Sequence, residues 1–311
     1  MENVIIIGGG TAGLSAAVYA ARAQLSPIVL KGDTPGGQIT LTDALENYPG
    51  FPDGISGFEL FQSLEKQAER FGAKLIHEAV TDINFSDHPF KIKTRENEYT
   101  TKSVIIATGS DPRKLNIPGE KELIGRGVSY CATCDGFFFR DKKVVVVGGG
   151  DSAIDEGLFL TRFASSVTVI HRRDRLRANQ HLQKRAFDNP KMHFIWDSVT
   201  EEIVGTEKVE GIRIKNLKTD ESTVVETDGV FVFIGHIPNT SVFQGIIKMD
   251  DQNIIITDKK QQTNIPGIFA AGDVQDPIYR QAITSAGTGA MAAIEAEKFV
   301  AHLEGDAYPG N

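Results

Sequence analysis

The sequence contains only two cysteines, Cys131 and Cys134, and no long hydrophobic run. Apolar runs such as KKVVVVGGG fall far short of the ~20 residues that a membrane-spanning helix needs, so we expect no membrane span. The net charge of −8 argues against nucleic acid as a main partner, because binding phosphates needs a basic surface. The N-terminal MENVIIIGGG lacks the basic and apolar regions of a signal peptide, which predicts a cytoplasmic protein.

Glycine, unlike cysteine, is abundant in this sequence. The chain has 31 glycines in 311 residues, many of them in GGG, GG and ATG loops, which suggests backbone packed close to ligands. A composition of 41% hydrophobic and 24% charged residues is typical of a globular protein. The length predicts about two domains.

One pattern occurs twice in the sequence. VIIIGGGTAGLSAAVYAARA begins at Val4, and VVVVGGGDSAIDEGLFLTRF begins at Val144. Each combines an apolar strand, a glycine loop and a helical pattern, and each leads to a second strand, as in a βαβ dinucleotide-binding unit. The candidate nucleotide-binding residues are Gly8, Gly10 and Gly13 in the first copy and Gly148, Gly150, Asp151, Ser152 and Ala153 in the second.

The end of the second strand differs between the two units. An acidic residue there usually binds the ribose 2′-hydroxyl group. The second unit instead has His171, Arg172 and Arg173, with Arg177 one turn later, and these arginines suit the 2′-phosphate of NADPH. A solvated basic strand end is the alternative. The first unit has Lys31 at this position, so the local pattern does not confirm an ordinary ribose site there.

Other segments indicate how the domains are arranged. SVIIATGS and GIFAAGDV are predicted as strands that end in small residues, and the segment from Thr81 to Thr101 is predicted as an antiparallel meander. NIPGEKELIGRG reads as a linker into the second unit, and GHIPNTSVFQG as the return. The first domain is therefore expected to be split by the insertion of the second.

The two cysteines form a Cys-x-x-Cys pair, CATC. A zinc site would need two further ligands, and the sequence offers no second Cys-x-x-Cys and no suitable histidine pair. In a reducing compartment a structural disulfide is disfavoured. A redox-active dithiol is favoured, with an inert buried pair as the alternative. Asp135 could serve as an acid/base group for the exchange, or as an ordinary turn or cap residue.

Taken together, the motifs CATCDGFF, VVGGGDSA, HRRD, GGQ, ENYPGF, ATGS, GIFAAGDV and YRQAITSAGTG resemble the bacterial-type, low-molecular-weight thioredoxin reductases over essentially the whole chain. The resemblance implies an α/β fold of two Rossmann-like, three-layer ββα domains, with an NADPH domain inserted into a discontinuous FAD domain. The expected boundaries are residues 1–115 and 243–311 for the FAD domain and 116–242 for the NADPH domain, which carries the Cys-x-x-Cys.

The resemblance also implies roles for individual residues. It places Cys134 nearest the flavin, as electron acceptor and attacking thiol, and Cys131 as the resolving thiol. Phe137, Phe138 and Arg126 would contribute to a thioredoxin-docking surface. The residues expected around FAD are Gly36, Gly37, Gln38, Asn47, Asp273, Arg280, Gln281 and Ala282.

The expected function is therefore that of an NADPH-dependent, FAD-containing thioredoxin reductase, an enzyme that is usually a homodimer and in which the NADPH domain rotates. Two alternatives lie close to it: a flavin disulfide reductase acting on another thioredoxin-like protein, and one fed by ferredoxin. A non-catalytic redox sensor that binds nucleotides is a third alternative, from a different class.

Overall fold

The computed structural model describes residues 1–33, 36–42 and 45–305 of the chain. Within them the strands are β1 (Glu2–Ile7), β2 (Ile28–Leu30), β3 (Lys74–Ile76), β4 (Val80–Asn84), β5 (Phe90–Thr94), β6 (Glu98–Ile106), β7 (Ser110–Pro112), β8 (Val128–Ser129), β9 (Lys143–Val147), β10 (Ser166–Ile170), β11 (Met192–Ile195), β12 (Ser198–Gly205), β13 (Val209–Asn216), β14 (Ser222–Glu226), β15 (Gly229–Val232), β16 (His236–Pro238) and β17 (Ile268–Ala270). The α-helices are α1 (Thr11–Arg22), α2 (Gly57–Arg70), α3 (Ala132–Asp135), α4 (Asp151–Leu160), α5 (Gln180–Phe187) and α6 (Ala282–Glu304).

The chain divides into two compact units. Unit 1 consists of Met1–Asp111 and Ile237–Asn311, and unit 2 of Pro112–His236. The two connecting segments form the short strands β7 and β16, which pair with each other. The chain thus crosses between the units a few residues before the positions expected from the sequence, 115/116 and 242/243. Residues 306–311, which the expected first domain includes, lie outside the described residues.

Unit 1 is built on a seven-stranded sheet with the order β3-β2-β1-β6-β5-β4, and β17 also pairs with β6. Strands β1, β2, β3, β6 and β17 pair in parallel, whereas β4, β5 and β6 form an antiparallel meander. The meander predicted from the alternating sequence is confirmed. Side chains of β1 alternate between two buried clusters, with Val4 and Ile6 beside α1 and α6, and Ile5 and Ile7 in the opposite cluster.

Unit 2 has a five-stranded parallel sheet with the order β11-β10-β9-β15-β8 and a separate three-stranded antiparallel sheet, β12-β13-β14. Val144 and Val146 of β9 pack in the cluster that contains α4 and α5, whereas Val145 and Val147 pack with β12 and β13. A run of consecutive valines suits this central strand because both of its faces are buried. The antiparallel sheet, the parallel sheet and the helices α4 and α5 thus form the three layers of a ββα arrangement.

None of the helices in the described residues combines the length and the hydrophobicity that a membrane span requires.

Candidate functional site

Three parallel strands of unit 1 end side by side. Ile7 of β1 is in register with Ile106 of β6, and Ile106 is in register with Ala270 of β17. The carboxyl edge of a parallel sheet is where α/β folds bind ligands. The glycine loop after β1, the ATG segment after β6 and the AGD segment after β17 therefore meet at one edge of the sheet.

The first glycine loop contains two kinds of position. A Cβ on Gly8 would lie 2.1 Å from the carbonyl oxygen of Ala107, and one on Gly13 would lie 1.9 Å from that of Gly8. These two glycines are required by packing alone. Gly10 differs, because a Cβ there would meet no atom within 4 Å. Gly10 also precedes α1 and has an ordinary φ of −82°, so its missing side chain leaves open space at a helix N-terminus.

Several residues predicted to line a flavin make polar contacts within unit 1. Asn47 donates a hydrogen bond to Gln281 at 3.3 Å, although they lie 234 positions apart, and Gln281 is the N-terminal cap of α6. Gln38 donates to Asp111 at 2.6 Å. Gly36 and Gly37 both have positive φ, 85° and 60°, and Arg280 has φ 48°; Ala282 begins α6. The structure therefore brings Asn47 and Gln281 together directly.

Asp273 lies just beyond β17, in the AGD segment. Its side chain accepts a hydrogen bond from Ser285 at 3.0 Å, and burial raises the pKa of its carboxyl group. A Cβ on the preceding Gly272 would come within 2.8 Å of Ala12 of α1, so this segment packs tightly against the first helix. The Asp273 carboxyl group is thus held at the carboxyl edge of the sheet in a partly desolvated position.

The residue after β2 is Lys31, where an acid is usual. Its ammonium group forms an ion pair with Glu65 of α2 at 2.5 Å, and the exposed fractions of the two side chains are 6% and 19%. Glu65 is not predictable from the sequence, because nothing in the local pattern of α2 distinguishes it from the other charged residues of that helix. The strand end therefore carries a lysine in place of the usual acidic residue, and a carboxylate from the neighbouring helix α2 neutralises the charge of that lysine.

The second glycine loop repeats the division seen in the first. A Cβ on Gly148 would lie 2.4 Å from the carbonyl oxygen of Phe233, and one on Gly149 would lie 2.4 Å from Nδ1 of His171. A Cβ on Gly150 would meet nothing within 4 Å, and Gly150 has φ −91°. Gly150 directly precedes α4, so here too an open position lies at a helix N-terminus.

Beside this loop lies a cluster of positive charge. Arg172, Arg173 and Arg177 are exposed, and His171 is buried with Nε2 making no hydrogen bond to the described residues. Burial, followed by the charges of Arg173, Arg172 and Arg177, lowers the pKa of His171. The three arginine charges and the buried imidazole, whose neutral form is favoured, thus lie close to one another in the segment beside the second glycine loop.

Asp151 and Ser152, also predicted in this loop, start α4. Asp151 accepts hydrogen bonds from the backbone and side-chain nitrogens of Asn179, at 2.7 and 3.1 Å, while Ser152 is exposed. Asn179 is the N-terminal cap of α5. The Asp151 carboxylate therefore stabilises the end of the segment that carries the arginines. Ala153 is buried in the hydrophobic cluster that contains Val144 and Val146 of β9.

Cys131 and Cys134 form a disulfide with a Cα–Cα distance of 5.3 Å. Cys131 is the N-terminal cap of α3, and its Sγ accepts a hydrogen bond from the Cys134 backbone nitrogen at 3.1 Å. The Thr133 hydroxyl lies 3.3 Å from the same sulfur. Both cysteines are partly exposed, so the pair is accessible rather than sealed in the core.

Ser129 links the disulfide to Asp135. Its hydroxyl donates to Oδ2 of Asp135 at 2.5 Å and accepts from the backbone nitrogen of Cys131 at 3.1 Å. Asp135 is the last residue of α3 and stands at the N-cap position of the short 3-10 helix that follows, Gly136–Phe139, where its side chain makes no capping hydrogen bond. Ser129 was not identified from the sequence, although its position two residues before Cys131 would allow this contact.

An exposed aromatic pair follows the disulfide. Phe137 and Phe138 are 48% and 42% exposed, with ring centroids 6.2 Å apart, whereas the next residue, Phe139, is buried against Phe231. The guanidinium group of Arg140 lies over the Phe137 ring at 5.2 Å. Arg126 is also exposed, in the segment before β8. An exposed apolar surface of this kind commonly marks a protein-binding site.

Comparison with known proteins decides the family. The model of the pyridine nucleotide-disulphide oxidoreductase family matches residues 2–289. The chain is 55% identical to the thioredoxin reductase of Rickettsia bellii and 49% identical to that of Streptomyces coelicolor, over 96% and 97% of this chain and 98% and 95% of theirs. The chain belongs to the thioredoxin reductases of this family.

A solved structure agrees with this relationship. The thioredoxin reductase from Streptococcus pyogenes superposes on the chain with a TM-score of 0.92 and 46% identity, and the match covers 98% of this chain and 99% of that one. The predicted α/β class with two Rossmann-like domains is confirmed, and so is the prediction of a thioredoxin reductase, an oxidoreductase of the flavoprotein type. Family membership implies that the reductase uses a flavin and a pyridine nucleotide.

The described residues contain no group of three or more His, Cys, Asp or Glu side chains that could hold a metal ion.

Proposed function

We propose that the reductase transfers electrons from NADPH, through FAD and the Cys131–Cys134 pair, to the disulfide of thioredoxin. The observation that carries this proposal is an accessible disulfide that shares unit 2 with the second glycine loop and its arginines. Flavin and nicotinamide supply hydride and electron transfer themselves, so the protein has to bind and orient them and hold the dithiol. An NADPH oxidation assay with oxidised thioredoxin tests the proposal.

We assign FAD to unit 1. The open space at Gly10, before α1, fits a pyrophosphate approaching a helix N-terminus. Gly36, Gly37, Gln38, Asn47, Arg280, Gln281 and Ala282 would border the flavin, and the partly desolvated Asp273 would bond its sugar-alcohol chain. The cofactor released from the purified protein should then be FAD, identified by chromatography against FMN and riboflavin.

Substitution of Gly10 by alanine separates ligand binding from packing. We expect Gly10→Ala to leave the melting temperature unchanged or slightly raised, because its φ of −82° suits alanine and nothing lies within 4 Å. Binding of FAD to the apoprotein should weaken at least ~10-fold, because the added methyl group occupies the pyrophosphate's path. Gly13→Ala is the matched control: its Cβ meets Gly8 at 1.9 Å, so this variant should lose stability itself. If FAD binds Gly10→Ala as tightly as the parent, the assignment of this loop is wrong.

We assign NADPH to unit 2, with the pyrophosphate at Gly148, Gly150 and the start of α4. Charge-assisted hydrogen bonds from Arg172, Arg173 and Arg177 would bind the 2′-phosphate. The neutral His171 would support the loop from beneath, since its ring leaves no room for a side chain at Gly149.

Thiol-disulfide exchange then moves the electrons outward. The Cys134 thiolate attacks one sulfur of thioredoxin, forming a mixed disulfide and releasing the other thioredoxin sulfur, which takes up a proton. Cys131 attacks Cys134 of the mixed disulfide, which restores the Cys131–Cys134 bond and releases the second thioredoxin thiol. Asp135, held by Ser129, would exchange the protons.

Phe137 and Phe138 would form the centre of the docking surface for thioredoxin, with Arg126 nearby. We expect Phe137→Ala combined with Phe138→Ala to raise the KM for thioredoxin about 10-fold or more, because truncating an aromatic anchor in an interface often costs ~1 kcal/mol or more. Reduction of a small aromatic disulfide should change less than twofold. Phe187→Ala, which removes another exposed phenylalanine of unit 2, should leave both activities unchanged. Equal losses on thioredoxin and the small disulfide would favour a packing role.

One short segment has to receive electrons at the flavin and then reach a bulky protein disulfide. We propose that unit 2 rotates between these steps about the two connecting segments, β7 and β16, since a single arrangement cannot serve both. A covalent cross-link between the units should then stop turnover with thioredoxin, and turnover that persists would rule rotation out.

We further propose that the reductase is a cytoplasmic homodimer. Unit 1 exposes apolar side chains on α6 and the segment before it, namely Ile278, Tyr279, Ile283, Met291 and Ile294, which would be covered by a second copy. A solution mass of a single 33.9-kDa chain would contradict this assembly.

A further inference from the structure

Lys31 and His171 occupy equivalent positions in the two units. Each directly follows the second strand of its βαβ unit, and each donates its backbone N–H to the carbonyl oxygen of the last residue of the third strand, at 2.8 and 2.9 Å. A Cβ on Gly9 would lie 2.8 Å from Cβ of Lys31, and one on Gly149 would lie 2.4 Å from the His171 ring. The side chain at this position therefore lies against the glycine loop in both units.

The ammonium group of Lys31 is almost buried and yet keeps hydrogen-bond donors in reserve. The Lys31 side chain is 6% exposed, and its Nζ donates to Oε1 of Glu65 at 2.5 Å. Among the described residues, its other two N–H groups have no acceptor and Oε2 of Glu65 has no donor. Since buried polar groups are nearly always paired, these atoms indicate a polar ligand beside the loop.

Other carboxylates close to this strand end are already engaged. Glu78, which follows β3, accepts hydrogen bonds from three side chains within residues 94–99, at 2.5, 2.7 and 3.1 Å. Asp33 is exposed and lies 3.9 Å from the guanidinium group of Arg95. Glu65 therefore supplies, from α2, the carboxylate that an acidic residue at the strand end would otherwise provide.

The charge at this position differs between the two units. In unit 2 three exposed arginines follow it, namely Arg172, Arg173 and Arg177, and such a cluster suits a 2′-phosphate. In unit 1 the charge of Lys31 is balanced by Glu65. A ribose hydroxyl both donates and accepts, so it suits an ammonium group beside a carboxylate, whereas a phosphate would be repelled by that carboxylate.

We propose that the Lys31–Glu65 pair binds the adenosine ribose hydroxyls of FAD and excludes nucleotides with a 2′-phosphate from unit 1. The Glu65 carboxylate accepts a hydrogen bond from a hydroxyl group, and the Lys31 ammonium group donates one. The inference rests on the proposed function in that it takes FAD as the ligand of unit 1. It explains how two units with the same glycine loop bind different dinucleotides.

Binding of flavins to the full-length protein depleted of flavin tests the first half of this inference. Glu65→Gln should weaken FAD binding at least ~10-fold, measured from flavin fluorescence, because a charge-assisted hydrogen bond to the ribose is lost. FMN, which has no adenosine, should bind the variant within about twofold of its affinity for the parent. Equal weakening of FAD and FMN would mean that the pair only stabilises α2, and unchanged FAD binding would mean that Glu65 does not contact the ribose; either result overturns the inference.

Competition against FAD tests the second half. Adenosine 2′,5′-bisphosphate and 5′-AMP are compared as competitors, and on the parent the bisphosphate should compete no better than AMP. On Glu65→Gln the ratio of their inhibition constants should shift at least ~10-fold in favour of the bisphosphate, because Lys31 then faces the 2′-phosphate without an opposing carboxylate. The inference requires this shift, and an unchanged ratio would contradict it.

Two further variants control these measurements. Glu69→Gln removes an exposed carboxylate one turn further along α2 and should change neither flavin affinity nor the competitor ratio. If Glu65→Gln does not fold, Lys31→Met combined with Glu65→Met replaces it, because an apolar pair often substitutes for a buried ion pair without loss of stability. This double variant should weaken FAD relative to FMN by a similar factor and leave the competitor ratio unchanged, and FAD affinity equal to that of the parent would refute the role of the pair.

The result can be separated from the assignment of FAD to unit 1. Gly10→Ala tests that assignment through the glycine loop alone. Weak FAD binding by Gly10→Ala together with parent-like binding by Glu65→Gln would overturn only the role of the ion pair. Parent-like FAD binding by both variants would contradict the assignment as well.

Discussion

Replacing Cys134 with serine should lower NADPH oxidation coupled to thioredoxin by at least ~10³-fold. Serine has nearly the same shape as cysteine but cannot form a disulfide, so no path remains from the flavin to the protein substrate. Flavin reduction by NADPH in a stopped-flow experiment should persist, because no sulfur takes part in it. This pairing of a lost overall reaction with a retained half-reaction distinguishes a relay defect from a folding defect.

Cys131→Ser is the companion variant, and it should be equally inactive in turnover. Serine is a favourable N-terminal cap residue, so α3 should keep its capping hydrogen bond and the protein should keep its stability. Thioredoxin should accumulate on the variant as a mixed disulfide with Cys134, visible by mass spectrometry. Substantial turnover in either serine variant would refute the assignment of this pair as the redox centre.

The second large effect is expected at the arginines beside the second glycine loop. Arg172→Gln combined with Arg173→Gln should raise the KM for NADPH by about 10²–10⁴-fold, because each charge-assisted hydrogen bond to a phosphate is worth ~1.5–3 kcal/mol. The KM for NADH should change less than about threefold, since NADH has no 2′-phosphate. The preference for NADPH should therefore be largely lost.

Lys208→Gln is a control for the loss of an exposed positive charge elsewhere in unit 2. Lys208 is an exposed cation of unit 2 on the turn between β12 and β13, and its loss should alter neither KM. If the double arginine variant weakens NADPH and NADH equally, the cluster acts as a general electrostatic or structural element rather than as the 2′-phosphate site.

Much of the fold was predictable because one local sequence pattern occurs twice in the chain. A β-branched run followed by three glycines and a helical pattern predicts a strand, a tight loop and a helix, and Gly8 and Gly148 occupy positions that a Cβ would make impossible. The consecutive valines of β9 likewise predict a strand buried on both faces. These features depend on neighbours in the sequence, so they can be read from the sequence.

The contacts that the sequence left open join residues far apart in the chain. Glu65 lies 34 positions from Lys31, and nothing in the pattern of α2 indicates which of its charged residues turns toward that lysine. The sheet formed by β12, β13 and β14 was not predicted either, since polar residues alternate only loosely along it.

The most direct test of the central claim is an anaerobic titration that measures both the electron donor consumed and the protein substrate reduced. Purified reductase is mixed with excess oxidised thioredoxin and limiting NADPH, and the NADPH consumed and the thioredoxin thiols formed are both measured. Two thioredoxin thiols per NADPH are expected, with neither change in the Cys134→Ser variant beyond reduction of the bound flavin. NADPH consumption without thiol formation, or thiol formation by the serine variant, would contradict transfer through the Cys131–Cys134 pair.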